Sequence, residues 1–376
     1  MAAAGVAVAI SFGTPARSAE PIRIGSFLAI TGPAAFLGDP EAKTLKLYVD
    51  LLNRKGGIDG RKIELHMYDS ALSAKKAITF VKRLIDQDKV DIIIGGTTTG
   101  ETMAVIPIIQ RAGIPFVSLG GASVIVKPSK KWVFKTPHTD RMAVAKVYAD
   151  MKKRGISKIG LIAGSGGFDK SCVRNDKDLA GKEGITIVAS ESYGKGDNDM
   201  TPQLTKIKNA KGLQSILFCG FGAPAVIVTR NHHQLGIKTS LYHNHGSCSK
   251  KLIKGSGSSA EGVRLPCAAL LVADQLAGDD PQKSIALDYA KAYTAAYKGD
   301  VSTFDGHAYD ALMLVVSAIK RAKSTDKAKV RAELEKTRAF IGVDGIYTMS
   351  ASDHMGLDLK SFKMIEVRNG DWRLLY

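Results

Sequence analysis

Apolar and polar positions along the chain fall into one unit that recurs six times. A short apolar strand runs into a turn rich in Gly, Thr and Ser, and the turn opens an amphipathic helix. IRIGSFLAITGP (22–33) begins the series. VDIIIGG (90–96) followed by TTTGET, IPFVSLGGAS (114–123), KIGLIAGSGGFD (158–169), SILFCGFGAP (215–224) and SLYHNHGSCS (240–249) continue it. Strands that alternate with helices build parallel sheets, and ligands then sit beyond the carboxyl ends of the strands. The turns, rather than the helices, are therefore where chemistry is expected.

Between these units the pattern predicts further elements. A helix is expected at about 40–55, with Asp39 as its cap, Pro40 at its first position, and Ala42, Leu45, Val49 and Leu52 facing inward. KIELHMYD (62–69) reads as a strand, and Ser73 caps the helix after it. Residues 135–138 (Lys-Thr-Pro-His) read as a crossover into a second, similar half. GVRLPCAAL (262–270) and GIYTMS (345–350) read as two more crossings. The chain ends in a hairpin with Asn369-Gly370 at its turn. The expected fold is α/β, with two doubly wound parallel-sheet lobes on a three-strand hinge. Residues 20–137 with 269–345 form the first lobe, and 138–268 with 346–376 the second.

The N-terminus changes the picture of where the chain works. The stretch from Ala2 to Phe12 is apolar but too short to span a bilayer, and small residues precede Glu20. Residues 1–19 thus read as a secretory signal cleaved after Ser18 or Ala19, although no Lys or Arg precedes the apolar run. Export permits disulfides. Of Cys172, Cys219, Cys248 and Cys267, the pair Cys248–Cys267 is the first expectation, since one follows a turn and the other lies on the next strand. Net charge is +17, yet the Lys and Arg are scattered over helix faces with no basic block interleaved with aromatics. That argues against a nucleic-acid partner and for a basic surface mildly favourable to anions.

No GxSxG elbow, HExxH, P-loop or CxxC occurs, so nothing supplies a nucleophile, base and oxyanion hole together, and no enzyme is expected. GSGGFD (164–169) is not a dinucleotide fingerprint. His243, His245 and Cys248 form the sharpest metal-like cluster, but a fourth ligand and a matching spacing are not evident. Hydrogen-bonding histidines are expected there, with no metal and no cofactor.

Thr97, Thr98 and Thr99 stand where a strand ends and a helix begins. Backbone N–H groups at a helix start, joined by a hydroxyl, suit a carboxylate, while one threonine suffices to cap the helix. Gly120, Gly121, Ala122 and Ser123 end the adjacent strand, where glycine lets a ligand approach the backbone. Phe36, Leu37, Phe168 and Phe221 fall in other turns of the same class and are candidate ligand walls.

Together these stretches resemble the type I periplasmic solute-binding proteins of ABC importers, the branched-chain amino-acid (Leu/Ile/Val) binding family. The resemblance is carried by residues 22–70, the threonine turn at 95–102, AGIPFVSLGGAS (112–123) and the G-I-K-T segment (236–239), and extends over nearly all of the mature chain. It implies a non-catalytic, periplasmic, monomeric receptor that delivers a small molecule to a membrane permease by hinge closure. It further implies that Thr98 and Thr99, with Gly121, Ala122 and Ser123, hold a ligand carboxylate. Phe168 and Phe221 match second-lobe aromatic positions, and Leu37, beside Phe36, matches a first-lobe contact.

The sequence departs from the family at His245, where amino-acid binders place an acidic partner for the ligand ammonium. A buried ammonium without an anion costs on the order of 3–5 kcal/mol. The expected ligand is therefore an aromatic carboxylate of the benzoate, hydroxybenzoate or hydroxycinnamate type. Phe168 and Phe221 would sandwich its ring, and His245 would meet a distal oxygen. Branched-chain amino acids, aliphatic acids, amides and urea-like ligands are the alternatives. A periplasmic ligand-sensing subunit is the alternative of another class.

Overall fold

The computed structural model describes Ala2, residues 20–194 and residues 196–376. The expected secretory signal thus lies outside the described residues, Ala2 excepted. Among the described residues, no helix is long and apolar enough to cross a membrane.

The first half runs β1 (Ile22–Leu28), α1 (Ala35–Arg54), β2 (Ile63–Asp69), α2 (Ala74–Asp86), β3 (Ile92–Gly95), α3 (Thr99–Ala112), β4 (Phe116–Ser118) and β5 (Val133–Lys135). Its five strands form one parallel sheet in the order β2-β1-β3-β4-β5. The helix starts follow from side-chain chemistry. Ser73 accepts from the N–H of Lys76, and Thr98 from that of Glu101, each satisfying a donor that the first turn leaves over.

The second half runs α4 (Asp140–Lys153), β6 (Lys158–Ala163), α5 (Gly167–Ala180), β7 (Thr186–Ser192), α6 (Thr201–Lys208), β8 (Ser215–Cys219), α7 (Ala223–Gln234), β9 (Ser240–His243), α8 (Lys250–Ser256) and β10 (Arg264–Ala268). Then come α9 (Lys283–Tyr297), α10 (Thr303–Ala322), α11 (Lys327–Glu335), the short pair β11 (Phe340–Ile341) and β12 (Ile346–Tyr347), and the terminal hairpin β13 (Phe362–Arg368) and β14 (Asp371–Leu374). The second sheet has the order β14-β13-β10-β9-β8-β6-β7, parallel from β10 to β7 and antiparallel at the hairpin. Counted from β6, its parallel part repeats the winding of the first sheet: β6 stands for β1, β8 for β3 and β9 for β4.

Two expectations need correction. The first long helix starts at Ala35, so Pro40 lies inside it rather than at its head. Asp39 does not cap it but pairs with Lys43 at 2.7 Å. A short 3-10 turn at Gly32–Ala34 leads directly into the helix and moves its start upstream. The third crossing falls later than 345–350. Tyr347, Met349, Met355 and Leu357 are buried in the first sheet's core, together with the inner faces of α10 and α11. The chain reaches the second sheet only at β13.

The crossings are bound to one another. Lys135 donates its backbone N–H to the His354 carbonyl, and the Tyr347 hydroxyl donates to the Thr136 carbonyl. The Thr136 hydroxyl donates to the His307 carbonyl at 2.8 Å. Lys135 is itself buried, its ammonium held by the carbonyls of Pro137 and His138. Burial pushes its pKa down to about 7. Both disulfides lie in the second sheet's half: Cys248–Cys267, as expected, and Cys172–Cys219.

Candidate ligand-binding site

The carboxyl ends of the two sheets face each other across a cavity with about 430 Å³ of empty space, part of it open to solvent. From the first half it is lined by Leu37, Glu41, the three threonines Thr97, Thr98 and Thr99, Leu119, Gly121 and Pro137. The second half contributes Phe168, Phe221, His245 and Gly246, and the start of α10 adds Phe304 and His307. Both halves therefore meet at the strand ends where a doubly wound sheet offers its binding crevice.

The threonines divide their work. Thr97 accepts the N–H of Ala29 at 3.0 Å and donates to Oε2 of Glu41 at 2.5 Å. Thr98 caps α3, and its hydroxyl donates to Glu101 at 2.7 Å. Thr99 is buried, and its hydroxyl oxygen has no partner among the described residues. Of the two threonines expected to hold a carboxylate, only Thr99 keeps a hydroxyl uncommitted. Gly96, at φ 68°, lets the backbone turn into this helix start, and a Cβ there would press on the Thr102 hydroxyl at 2.5 Å.

Ala122, Ser123 and Phe36 do not line this cavity. The Ser123 N–H donates to Asp140 at 2.8 Å, and its hydroxyl accepts from Asn175 on α5 at 3.1 Å, so both are taken up in a contact between the halves. Ala122 is buried at the start of the turn Ser123–Ile125. Phe36 packs edge-on against Phe304 with centroids 5.7 Å apart and borders a neighbouring cavity instead.

The second half supplies shape. Phe168 lies 5.9 Å from Phe221 with ring planes at 59°, and 5.3 Å from His245 at 69°. Phe168 is tilted against both of its neighbours, so the rings form a single wall in place of the expected parallel sandwich. His245 is buried, and neither ring nitrogen meets a partner among the described residues. Burial above all, then the nearby Lys135, His138 and His307, holds its pKa well below the usual value, so the ring is neutral. It offers one donor and one acceptor. The halves are close here: a Cβ on Gly121 would sit 2.9 Å from Nε2 of His245 and 3.0 Å from the Phe168 ring.

His243, His245 and Cys248 do not form a metal site. His243 is held between Thr229 and Ser247, and Cys248 is bonded to Cys267. Cys172, Asp176 and Cys219 are clustered, but both sulfurs belong to the second disulfide.

Sequence reasoning missed Glu41, Thr97 as a ligand-facing residue, Phe304 and His307. Phe304 and His307 come from a helix more than 250 residues after Phe36 in the chain, a distance that no local pattern bridges. His307 binds the buried Asp344 through Nδ1, and burial lowers its own pKa to about 3 while raising that of Asp344. Glu41 was visible in principle: it stands four residues after Leu37 and four before Leu45, in the buried stripe of α1.

The sequence profile of the periplasmic binding proteins matches residues 21–369. The chain is 27% identical over 332 residues to Leu/Ile/Val-binding protein homolog 3 of Brucella melitensis, covering 87% of this chain and 86% of that one. It is 23% identical over 333 residues to the leucine-, isoleucine-, valine-, threonine- and alanine-binding protein of Pseudomonas aeruginosa, covering 88% and 86%. An extracellular ligand-binding receptor from Rhodopseudomonas palustris HaA2 superposes with a TM-score of 0.88 at 27% identity, over 94% of this chain and 99% of that one. Two sheets of matching winding, three crossings and a cavity between facing strand ends thus agree with the sequence match, and the chain belongs to the periplasmic binding protein family, with the type I fold.

Proposed function

We propose that the protein is the exported receptor of an ABC importer, capturing a small organic acid with an apolar body and presenting it to a membrane permease. One observation carries this reading. Thr99 Oγ1 and both nitrogens of His245 are buried without partners among the described residues, in one cavity whose remaining wall is largely aliphatic and aromatic. Unpaired buried polar atoms are costly, and a ligand that pairs them recovers that cost.

The start of α3 suits the carboxylate. Thr98 and Thr99 at the head of α3 line the cavity, and the helix dipole there favours negative charge. The body of the ligand then lies against Leu37, Phe168, Phe221 and Phe304. The neutral His245 serves a hydroxyl or carbonyl at the far end. An aromatic acid of the benzoate, hydroxybenzoate or hydroxycinnamate type uses this ring wall best, lying on it rather than between two rings. The second reading, a branched-chain amino acid, is favoured by the names of the relatives and by Glu41 in the lining.

Capture proceeds by closure of the two halves. The ligand meets the first half, and Phe168, Phe221 and His245 then bury it, so bound and closed populations rise together. A thermal-shift screen of the mature protein against aromatic carboxylates and branched-chain amino acids tests this. A ligand present at 100 times its Kd adds about 2.7 kcal/mol of stability. A response from neither set removes the organic-acid reading.

A further inference from the structure

We propose that the outer face of α5, with the flank of α4 beside it, is a docking surface for an anionic phospholipid bilayer, and that it sets the rim of the ligand cavity against the membrane.

In sequence the two helices carry mixed charge: two acids and four bases on α4, three acids and three bases on α5. The fold unmixes them. Asp140 and Asp150 of α4 and Asp169 and Asp176 of α5 are buried. Three of the four have visible work inside. Asp140 accepts the Ser123 N–H at 2.8 Å, Asp150 pairs with Arg264 at 2.9 Å, and Asp169 accepts the Gly166 N–H at 2.9 Å. The bases stay outside. Lys170, Arg174 and Lys177 are all exposed and, at spacings of four and three, form one stripe along α5. Of the acids on both helices only Asp178 is exposed.

Neighbouring elements extend this stripe. Arg141 of α4 reaches Asn175 of α5 at 3.4 Å, and Lys152 pairs with Glu183, just beyond the end of α5, at 3.1 Å. Lys182 is exposed in that same turn. On the other side, the stripe borders an open depression against the edge strand β7, whose Glu191 is taken by Lys206 at 3.2 Å. The half-buried acids around the face are therefore already paired, while Lys170, Arg174, Lys177 and Lys182 have no ion-pair partner among the described residues.

The make-up of this face selects the partner. Protein interfaces are built around aromatic and aliphatic anchors and are poor in lysine. None of the exposed large apolar side chains among the described residues lies on α4 or α5, and Tyr376 sits on another flank of α4 beneath Lys146 and Lys153. Long flexible cations without an anchor suit a diffuse sheet of negative headgroups, which asks for charge and not for shape. The place of the face gives it a use. Phe168, in the first turn of α5, lines the ligand cavity, and Lys170 stands two residues further on. A bilayer held here lies beside the cavity rim. The net charge of +17 draws the whole chain to anionic surfaces, and this face decides which side arrives.

Sedimentation of the mature protein with vesicles tests this, using phosphatidylcholine alone and phosphatidylcholine with about one third phosphatidylglycerol. Binding is expected only to the anionic vesicles, and is expected to vanish between about 50 mM and about 500 mM NaCl. Each cation near such a surface contributes about 5-fold, so Lys170→Gln/Arg174→Gln/Lys177→Gln is expected to bind on the order of 100-fold more weakly, and Arg174→Gln alone about 5-fold. Lys75→Gln/Lys76→Gln/Lys82→Gln on α2 removes the same charge elsewhere and is expected to stay within about 3-fold of wild type. Equal losses from the two triple variants would mean that net charge and not this face binds, and would overturn the proposal. Equal binding to both kinds of vesicle would overturn it too. Retention on immobilised polyglutamate without binding to anionic vesicles would make the partner an acidic protein, and the bilayer proposal would fall.

Discussion

The turns after β3 and after β8 occupy the same place in the two sheets and face each other across the cavity, yet their chemistry is opposite. After β3 stand Thr97, Thr98 and Thr99: one hydroxyl orients Glu41, one caps α3, and one is free for a ligand. After β8 stand Gly220, Phe221 and Gly222, and α7 starts with no side-chain cap at all. Gly222, at φ 75°, carries the chain past the Phe36 ring, only 3.0 Å from where a Cβ would stand. On the proposed reading, two copies of one winding divide recognition. The first half supplies acid and hydroxyl groups, and the second supplies Phe168, Phe221 and a neutral histidine. On the proposed reading, the polar first half meets the ligand while water is still present. The apolar wall then excludes water, which strengthens the polar contacts already made.

The largest expected effect sharpens this contrast through the disulfides, which all lie on the apolar side. Cys172 is four residues after Phe168, and Cys219 two before Phe221, so this bond ties together the two turns that carry the wall. The threonine side has no such tie. With a sequence separation of 47, loss of the bond in a Cys172→Ser/Cys219→Ser variant is expected to cost about 4 kcal/mol of stability in denaturant titration. The pair Cys248–Cys267, with a separation of 19, is expected to cost about 3 kcal/mol and to leave ligand affinity nearly unchanged. Equal affinity losses from both variants would mean that the bond near Phe168 has no special part in shaping the wall.

Next in size is Gly121→Val. It adds bulk where the two halves approach within contact distance, against His245 and Phe168. Overpacking of this kind costs about 3 kcal/mol, here charged to the closed state alone. Affinity is expected to fall about 100-fold while the melting temperature of the ligand-free protein stays within a few degrees of wild type. Small-angle scattering with saturating ligand checks it: a variant that still compacts on binding would show that closure does not bring these turns together.

Much of this contrast was legible before any coordinates. The strand-turn-helix units gave both sheets, because buried parallel strands read as continuous apolar runs such as Ile92–Gly95. Ser73 and Thr98 marked helix starts by the donors they satisfy. Chemistry that depends on partners far apart in the chain was not legible. Ser123 looked like a ligand hydroxyl, but Asn175 occupies it from 52 residues away. Glu41 sits in the buried stripe of α1, but the partner that marks it, Thr97, is 56 residues away. The start of the first helix was misplaced because Pro40 usually opens a helix, whereas here the preceding 3-10 turn had already done so.

Phe168→Ala comes third. Phe168 touches Phe221 and His245 and lines the cavity, so its truncation removes the centre of the apolar wall without touching a polar group. A loss of about 2 kcal/mol in binding is expected by calorimetry, in the range of a buried aromatic anchor. The loss should be similar for every ligand that binds, since the wall meets the body and not the polar ends. A change in preference between ligands that differ only in their polar groups would instead mean that the two halves do not divide recognition as the turns suggest.

The smallest effect probes closure apart from recognition. Asn175 on α5 donates to the Ser123 hydroxyl at 3.1 Å and to the Ser171 carbonyl within its own helix. The first bond joins the halves, and neither residue lines the cavity. Asn175→Ala therefore removes one neutral hydrogen bond between the halves, worth about 1 kcal/mol, along with its bonds to Ser171 and Arg141 inside the second half. Because that bond biases the equilibrium between open and closed forms and not the contacts with the ligand, every ligand should lose affinity by the same factor, about 5-fold. The loss should appear mainly as faster dissociation in stopped-flow release, since opening must precede escape. If different ligands lost affinity by different factors, Asn175 would be acting on the cavity through α5 and Phe168, and recognition and closure would not be separable at this seam.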